Sequence, residues 1–352
     1  MTQTSTPTAK AAFDEEYDVV VAGAGSAGCI VATRLTENPK LTLCVIEAGR
    51  RDTNPWIHIP LGFGKLVPNP KMNWGYETEP EPELNNRKVV WPRGKVLGGS
   101  GSINGLVFLR GAPTDFDEWE KRGATGWGYK DILPYFKKSE HNEPGGDPWR
   151  GLGGPMHISN IKEPSVPSRA FVEACAMLQH PRNPDFNGEK IEGVGFVQLN
   201  VRNGRRVSTA VGYLKPNLQR RNLTLMTQTY VRRVILDGKR AVGVEVEHNG
   251  QTKRIRARRE VILSGGSINS PQLLLASGIG PAEELKAAGV TPLHDLAGVG
   301  KDLQDHLMVR MVFKTKISGT LNEVSRNPLQ SAGTWQTASP PSHPRSAGRC
   351  AG

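Results

Sequence analysis

The stretch YDVVVAGAGSAG at residues 17–28 restricts the fold of this chain more than any other feature. An apolar run, long enough for a buried strand and too short for a helix, leads directly into three glycines. Residues 27–35 then have helical spacing, and residues 41–49 form a second apolar run. This succession of strand, glycine turn, helix and strand is typical of the start of a parallel α/β fold that binds a dinucleotide.

Each glycine of the GxGxxG pattern has its own physical role. Gly23 permits a tight turn, Gly25 lets the backbone approach a pyrophosphate, and Gly28 lets helix and strand pack closely. The N-terminus of the helix offers N–H groups and a positive dipole end to the phosphates. Glu47 lies 19 positions after Gly28, where a carboxylate that binds the ribose hydroxyls is expected. Because its charge would repel a 2′-phosphate, we expect NAD or FAD rather than NADP.

Composition narrows the function classes. The 352 residues are enough for about two domains, and no apolar run is long enough to cross a membrane. The first residues lack the apolar stretch of a secretory signal, so we predict a cytoplasmic protein and leave peripheral membrane association open. The four cysteines are scattered without a CxxC pair, and we therefore expect neither a disulfide framework nor a metal site.

The net charge of +11 comes partly from short basic runs such as RNGRR at 202–206 and KRIRARR at 253–259. A nucleic-acid surface would combine such runs with aromatic residues for base stacking, but aromatics make up only 6% of the chain and lie mostly elsewhere. We expect solvated strand edges and loops and no nucleic-acid partner. An anionic ligand or a membrane surface is the alternative.

Turn and helix signals are clearest in the second half of the chain. The dipeptides Asp237-Gly238 and Asn249-Gly250 predict two hairpins. Residues 260–266 read as a strand that ends in glycines. A short helix is then expected, entered through Pro271 at its first turn and stopped by Gly278.

Longer stretches resemble the glucose-methanol-choline (GMC) oxidoreductases, a family of flavoenzymes that act on alcohols. The resemblance extends over about residues 15–326. The stretches that carry it besides the first are NWGYETEP (73–80), WPRGKVLGGSGSINGLVFLRG (91–111), RNPDFNG (182–188), NGRRVSTAVGYL (203–214), GSINSPQLLLASGIG (266–280) and GVGKDLQDHL (298–307).

The resemblance implies an α/β fold: a Rossmann-type FAD-binding domain with an inserted, incomplete α+β substrate lobe. We expect the FAD-binding domain to be discontinuous, over 15–155 and 225–315, and residues 156–224 to be part of the substrate lobe. The irregular sequence at 327–352 predicts a disordered tail.

The glycine-rich segment 94–107 is suited to a planar ligand, since its backbone can lie flat and donate N–H groups to flavin carbonyls. Some family members attach FAD through a histidine here. The corresponding position is Asn104, so we expect non-covalent FAD. The resemblance implies flavin contacts from Val96, Asn104, Gly105, Leu106 and Val107, and a backbone contact from Val231 to the adenine.

The activity that the resemblance implies is oxidation of a small-molecule alcohol to an aldehyde, of the choline dehydrogenase type, with hydride transfer to the flavin N5. Oxygen, a quinone and another carrier are all open as the electron acceptor. The catalytic histidine of the family, with its histidine or asparagine partner, is expected beyond the last residue of this chain, so we assign no catalytic residue. His306 lies in a family stretch but not at that position.

Three other functions stay open. One is a catalytically incomplete FAD-binding fragment that lacks the C-terminal pair formed by a histidine with a second histidine or an asparagine. An NAD-linked enzyme would use only the GxGxxG turn and would leave segment 94–107 unexplained. A hydroxynitrile lyase, also found in this family, would keep the flavin without redox turnover.

Overall fold

The structure is a computed structural model that describes residues 12–306 and the positions 308, 309, 312, 314, 316, 320 and 323. The predicted tail at 327–352 lies outside the described residues.

The strands of the described chain are β1 (Glu15–Ala22), β2 (Leu43–Glu47), β3 (Tyr76–Glu77), β4 (Val90–Trp91), β5 (Val107–Phe108), β6 (Glu140–Asn142), β7 (Met156–Ile158), β8 (Gln198–Leu199), β9 (Val201–Arg202), β10 (Arg205–Arg206), β11 (Leu223–Thr227), β12 (Thr229–Asp237), β13 (Arg240–His248), β14 (Gln251–Leu263), β15 (Ile279–Gly280) and β16 (His294–Asp295). Its α-helices are α1 (Ser26–Leu35), α2 (Pro55–His58), α3 (Phe63–Leu66), α4 (Pro113–Lys121), α5 (Tyr129–Ser139), α6 (Val166–Met177), α7 (Gly266–Ala276) and α8 (Ala282–Ala287).

A six-stranded sheet organises the part of the chain that carries the glycine turn. Its strand order is β11-β2-β1-β14-β13-β12. The first four strands run parallel, and β14, β13 and β12 form an antiparallel meander. In register, Ala22 pairs with Ile46 and with Leu263, so β1, β2 and β14 end together at one edge. Ligands of open α/β sheets bind at this edge.

Both faces of the central strands are buried, as the continuous apolar runs of β1 and β2 predict. Val19 and Val21 pack in a cluster with Cys29 and Ala32 of α1. Val20, between them, belongs to a second cluster that includes Cys44 and Ile46 of β2 and apolar residues of the meander. Alternate residues of β1 therefore pack into two different hydrophobic clusters. The polar groups of this region lie at the ends of the strands.

The described chain divides into two compact units. Unit 1 holds residues 12–57, 61–105 and 208–306, with position 308, and unit 2 holds 58–60 and 106–207, with the described positions after 308. The expected domain limits stay a prediction, and two segments of the units cross them. Residues 208–224 fall in unit 1, since β11 pairs with β2 and the π-helical turn Ala210–Leu214 packs on α1. Residues 106–155 fall in unit 2, where a polar network connects them.

That network forms a buried ionic core of unit 2. The Glu140 side chain is fully buried, and its Oε1 accepts hydrogen bonds from Arg110 Nη2 at 2.8 Å and Arg150 Nε at 3.0 Å. Arg150 Nη1 also donates to Asp185 Oδ2 and to Gln198 Oε1, both at 2.6 Å. Two guanidinium groups thus face two carboxylates. The polar core joins β6 to segments some 30–60 residues away.

The predicted hairpins are present. Asn249 and Gly250 have φ values of 51° and 75° and connect β13 to β14, and Gly238 lies in the turn between β12 and β13. The expected helix after β14 is longer than predicted. It begins at Gly266, so that Pro271 lies inside it rather than in its first turn. It ends as expected before Gly278: Ala276 is its last residue, Ser277 is the C-cap, and Gly278 has φ 80°.

The basic run at 253–259 lies on β14, where its arginines alternate with residues that point into the core. Arg256 pairs with Glu16, and Arg258 pairs with Glu16 and Asp18. The guanidinium of Arg258 and the backbone amide of Thr42 hold the pKa of Asp18 down at about 2. Much of the positive charge of this run is therefore matched by carboxylates on β1.

Candidate functional site

The glycine turn after β1 has the close contacts that its sequence predicts. Gly23 has φ 105°, and a Cβ there would lie 2.7 Å from the carbonyl oxygen of Ser264. A Cβ on Gly28 would lie 1.9 Å from the carbonyl oxygen of Gly23. The Ser264 hydroxyl donates to that same oxygen at 2.7 Å, so the turn is held from the end of β14 as well. Both positions require glycine for steric reasons.

Gly25 is different, because protein atoms leave its side-chain position free. A Cβ there would have no neighbour closer than 3.8 Å, and φ is −75°, which any residue adopts. Gly25 is the N-cap of α1 and lines a cavity. The first-turn N–H groups of a helix have no acceptor within the helix. The turn therefore presents donors and empty space at the place where a phosphate group would lie.

The cavity has a volume of about 490 Å³ and is built by residues of unit 1. It lies at the carboxyl ends of β1, β2 and β14 and at the start of β12. Its lining residues are Ala22, Gly23, Gly25, Ser26, Ala27, Ile46, Glu47, Ala48, Trp74, Arg93, Gly94, Gly99, Ser100, Thr229, Tyr230, Val231, Arg232, Leu263–Ser270, Gln272, Leu273 and Ala276.

Glu47 ends β2 at the wall of the cavity and is only 6% exposed. Its Oε2 accepts a hydrogen bond from Ala24 N at 3.0 Å, and its Oε1 accepts one from Gly49 N at 2.8 Å. Burial raises the pKa of Glu47 to about 7, although the two amides and the charge of Lys95 favour the ionised form. Each oxygen keeps a second lone pair, which suits a donor such as a ribose hydroxyl.

A second helix also begins at the cavity. Ser264, Gly265 and Gly266 lead from β14 into α7, and all three line the cavity. Like α1, this helix has a glycine N-cap without a side-chain hydrogen bond. Two helix N-termini on adjacent parallel strands therefore open into one space, and their dipoles favour an anionic ligand there.

Aromatic residues form another part of the wall. Trp74 and Tyr230 both line the cavity, and their rings meet edge to face with centroids 6.2 Å apart. Tyr76 stacks beside Trp74, with centroids 5.9 Å apart, and its hydroxyl accepts a hydrogen bond from Asn269 Nδ2 at 2.7 Å. Aromatic rings with the amide group of Asn269 nearby are suited to a planar base.

The structure brings together only some of the residues expected to bind the cofactor. Gly23, Gly25, Glu47 and Val231 line the cavity, and Gly28 supports the turn from behind. The residues expected at the flavin are not among those that line it. They are Val96, which is fully buried in an apolar cluster, and Asn104, Gly105, Leu106 and Val107. Their contact with a flavin stays a prediction.

Sequence reasoning missed Trp74, Tyr230 and the start of α7 as parts of this site. A signal was present for α7, because Ser264-Gly265-Gly266 follows a buried strand and precedes a helix, as the first glycine turn does. For Trp74 and Tyr230 no local signal exists, since the two residues are 156 positions apart in the sequence.

Among the residues that the structure describes, no group of three or more histidine, cysteine or acidic side chains is placed to hold a metal ion. His306 is exposed and lies outside the residues that line the cavity.

None of the helices in the described part of the chain combines the length and apolar character that a membrane span requires.

Glu47 gives the ligand-free protein a testable pH dependence. Its pKa is about 7 in the folded state against an ordinary 4.5, so its contribution to stability is complete below about pH 4.5 and is lost as the pH rises through 7. We expect the free energy of unfolding of the wild type, relative to Glu47→Gln, to fall by about 3 kcal/mol between about pH 4.5 and pH 8. Urea denaturation across this range measures the difference.

The control for this prediction is Glu283→Gln. Glu283 lies in the same unit, pairs with Lys286 and has a side chain that is 86% exposed. Its stability curve should run parallel to that of the wild type. If the Glu47→Gln curve also runs parallel, the carboxyl group of Glu47 titrates alike in the folded and unfolded chains and the prediction is wrong.

Comparison with known proteins places these features in a family. The family model described as GMC oxidoreductase matches residues 17–308. The oxygen-dependent choline dehydrogenase of Brucella suis is 48% identical over 294 residues, which are 84% of this chain and 53% of that protein. The enzyme of the same name from Rhizobium etli is 47% identical over 292 residues, again 53% of its length. The chain thus spans about half the length of these curated relatives.

Solved structures agree. Pyridoxine 4-oxidase from Mesorbium loti is 38% identical with a TM-score of 0.77, and the match covers 80% of this chain and 55% of that one. An FAD-dependent oxidoreductase from Chaetomium thermophilum is 29% identical with a TM-score of 0.84, over 91% of this chain and 58% of that one. The α/β fold and the family resemblance predicted from the sequence are both confirmed.

Proposed function

The chain belongs to the GMC oxidoreductase family, and from that membership we propose that it binds FAD non-covalently and takes part in the oxidation of a small alcohol. Because the chain spans about half the length of its curated relatives, the activity of a whole family protein is part of this proposal. We propose unit 1 as the FAD-binding domain and unit 2 as part of the substrate lobe.

One observation carries the proposal: Gly25 and Glu47 line the same cavity. A dinucleotide needs phosphate donors and a ribose acceptor a few ångströms apart. Gly25 leaves space in front of the N–H groups of α1, and Glu47 holds a buried carboxylate at the end of the neighbouring strand. The residues present therefore fit the adenosine diphosphate portion of FAD.

The fit favours FAD over NADP. The negative charge of Glu47 disfavours a phosphate on the ribose 2′ oxygen, whereas the ribose of FAD carries a free hydroxyl there. We propose that Val231 contacts the adenine through its backbone. The glycine-rich segment that ends at Val107 would then meet the flavin, with Asn104 in place of the histidine that attaches flavin in some relatives.

Bound FAD would supply the acceptor for the hydride that leaves the alcohol carbon. The residues of this chain would bind and orient it: α1 and α7 through their N-termini, and Glu47 through the ribose. Choline is the first substrate to test and oxygen the first electron acceptor, because relatives 47–48% identical are named oxygen-dependent choline dehydrogenases. The proposed compartment is the cytoplasm.

The proposal is tested by reconstituting the purified chain with FAD and removing unbound flavin on a desalting column. We expect a yellow protein whose flavin is displaced by excess ADP but not by FMN, since the cavity fits the adenosine end. Acid precipitation should release all the flavin, as non-covalent binding requires. NAD should not compete.

A folded protein that stays colourless after reconstitution would contradict FAD binding. Retention of NAD without flavin would favour a nicotinamide enzyme instead. If the protein is yellow, anaerobic addition of choline tests the reaction itself. Bleaching of the flavin band supports alcohol oxidation, whereas an unchanged band with several primary alcohols would show that this chain binds FAD without turning over.

A further inference from the structure

Tyr76 contacts two residues that line the cavity but is not itself among the lining residues. Its ring stacks beside the indole of Trp74, with an interplanar angle of 6° and centroids 5.9 Å apart. Its hydroxyl accepts a hydrogen bond from Asn269 Nδ2 at 2.7 Å. Because Trp74 and Asn269 both line the cavity, Tyr76 connects two parts of its wall.

The backbone that carries the two stacked rings is held in one conformation. Asn73 is buried, and its Oδ1 accepts hydrogen bonds from the amides of Gly75 at 3.1 Å and Arg93 at 2.9 Å. Gly75 has φ 73°, which glycine adopts readily and which turns the chain between Trp74 and Tyr76. Tyr76 then begins β3, which pairs with β4. The stacking of the two rings is therefore set by their own segment of the chain.

The bond from Asn269 adds a contact from a distant segment. Asn269 lies in the first turn of α7, 193 positions after Tyr76. The hydroxyl of a tyrosine lies on the long axis of its ring, so this bond fixes the direction of the ring, whereas stacking on Trp74 fixes its plane. Asn269 Nδ2 also lies 3.4 Å from Gln272 Oε1 on the same helix, which restrains the amide. The ring of Tyr76 is thus held at both its face and its end.

The order of Tyr76 extends through Trp74 to Tyr230. The rings of Trp74 and Tyr230 meet edge to face with centroids 6.2 Å apart, and Tyr230 lies at the start of β12. Lys95 Nζ, 4.6 Å from the indole centroid, adds a cation–π contact to Trp74. All these side chains belong to unit 1. A wall that is ordered in the ligand-free protein avoids the cost of immobilising its side chains on binding.

We propose that Tyr76 is a positioning residue for the adenosine end of the dinucleotide: fixed by Asn269, it holds Trp74 as part of an ordered wall against which the base packs. Val231, the proposed adenine contact, directly follows Tyr230 of the same wall. This inference rests on the FAD binding proposed above. Tyr76 need not touch the ligand, since it acts through residues that line the cavity.

The test is a double-mutant cycle on the hydrogen bond. Titration calorimetry gives the affinities for FAD and for ADP of the wild type, Tyr76→Phe, Asn269→Ala and the double variant. Phenylalanine keeps the stacked ring and removes only the hydroxyl. We expect Tyr76→Phe to weaken the binding of both ligands about fivefold, the effect of ordering one more side chain on binding. In the Asn269→Ala background the same substitution should have no further effect, because the bond is already absent.

A control variant and a second measurement separate positioning from a general loss of structure. Tyr17→Phe removes a hydroxyl that donates to Glu15 Oε2 at 2.8 Å in the same unit, away from the residues that line the cavity. It should leave both affinities unchanged. Urea denaturation of the four proteins of the cycle measures their stability separately. Coupling between the two substitutions in stability but not in affinity would make the bond a structural contact only, and the inference would be wrong.

The remaining outcomes are distinct. A wild type that binds no FAD overturns the proposed function. A wild type that binds FAD, with Tyr76→Phe at the same affinity, overturns only the role of Tyr76. Equal losses from Tyr76→Phe in both backgrounds also overturn it, because the hydroxyl would then act without Asn269. A protein that binds FAD but not ADP, or a variant that loses affinity for FAD alone, overturns the assignment to the adenosine end.

Discussion

Gly25→Val should abolish FAD binding and leave the fold intact. A Cβ at this position has no protein atom within 3.8 Å, and the backbone there is extended, so the chain accommodates a side chain. The valine methyl groups would instead occupy the space in front of the N-terminus of α1. We expect a loss of affinity of at least about 100-fold, because the phosphate would lose charge-assisted bonds to N–H groups.

The measurement is FAD titration together with circular dichroism. Gly28→Ala is the matched control, since it adds a smaller group to the same turn. Its Cβ would lie 1.9 Å from the carbonyl oxygen of Gly23, and we expect it to reduce the free energy of unfolding by about 3 kcal/mol. Full flavin retention by Gly25→Val would show that the phosphates do not pass this residue.

Glu140→Gln should destabilise unit 2 by about 3–5 kcal/mol, the cost of breaking a buried ion pair from one side. The carboxylate of Glu140 accepts from Arg110, from Arg150 and from the amide of Gly151 at 2.7 Å. Glutamine keeps the shape but leaves two buried guanidinium groups opposite a single carboxylate, that of Asp185. The amide group also cannot accept all of these bonds with one oxygen.

Urea denaturation followed by tryptophan emission measures this effect, since Trp119, Trp127 and Trp149 lie in unit 2. Glu118→Gln is the control, because it removes an exposed ion pair with Arg122 in the same unit. It should leave the unfolding midpoint almost unchanged. Equal midpoints for Glu140→Gln and Glu118→Gln would contradict the prediction, because the buried network would then stabilise unit 2 no more than an exposed ion pair does.

The parts of the fold that could be predicted depend on neighbours in sequence. β1, α1 and β2 follow from an apolar run, three glycines and a helical period within one short stretch. The hairpins follow from Asp237-Gly238 and Asn249-Gly250, whose preferred backbone conformations are a local property. The end of α7 before Gly278 likewise follows from a local property of the sequence.

The parts that could not be predicted depend on contacts between distant segments. Residues 208–224 join unit 1 because β11 pairs with β2, about 180 positions earlier in the chain. Glu140 and Arg150 are buried because their charges match those of Arg110 and Asp185. From the sequence alone, charged side chains are expected at the surface, because burial of a charge is favourable only when its partners are in place.

The glycine turn can be predicted from the sequence alone, because Gly23 and Gly28 meet steric limits set by nearby chain segments and Glu47 follows at a fixed distance along a βαβ unit. The residues that face that turn depend on the tertiary structure. The wall formed by Trp74, Tyr230 and the start of α7 arises from strands that pair across the sheet and loops that pack on one another. Such contacts leave no periodic trace in the sequence, since each residue is adapted to a neighbour that is far away along the chain.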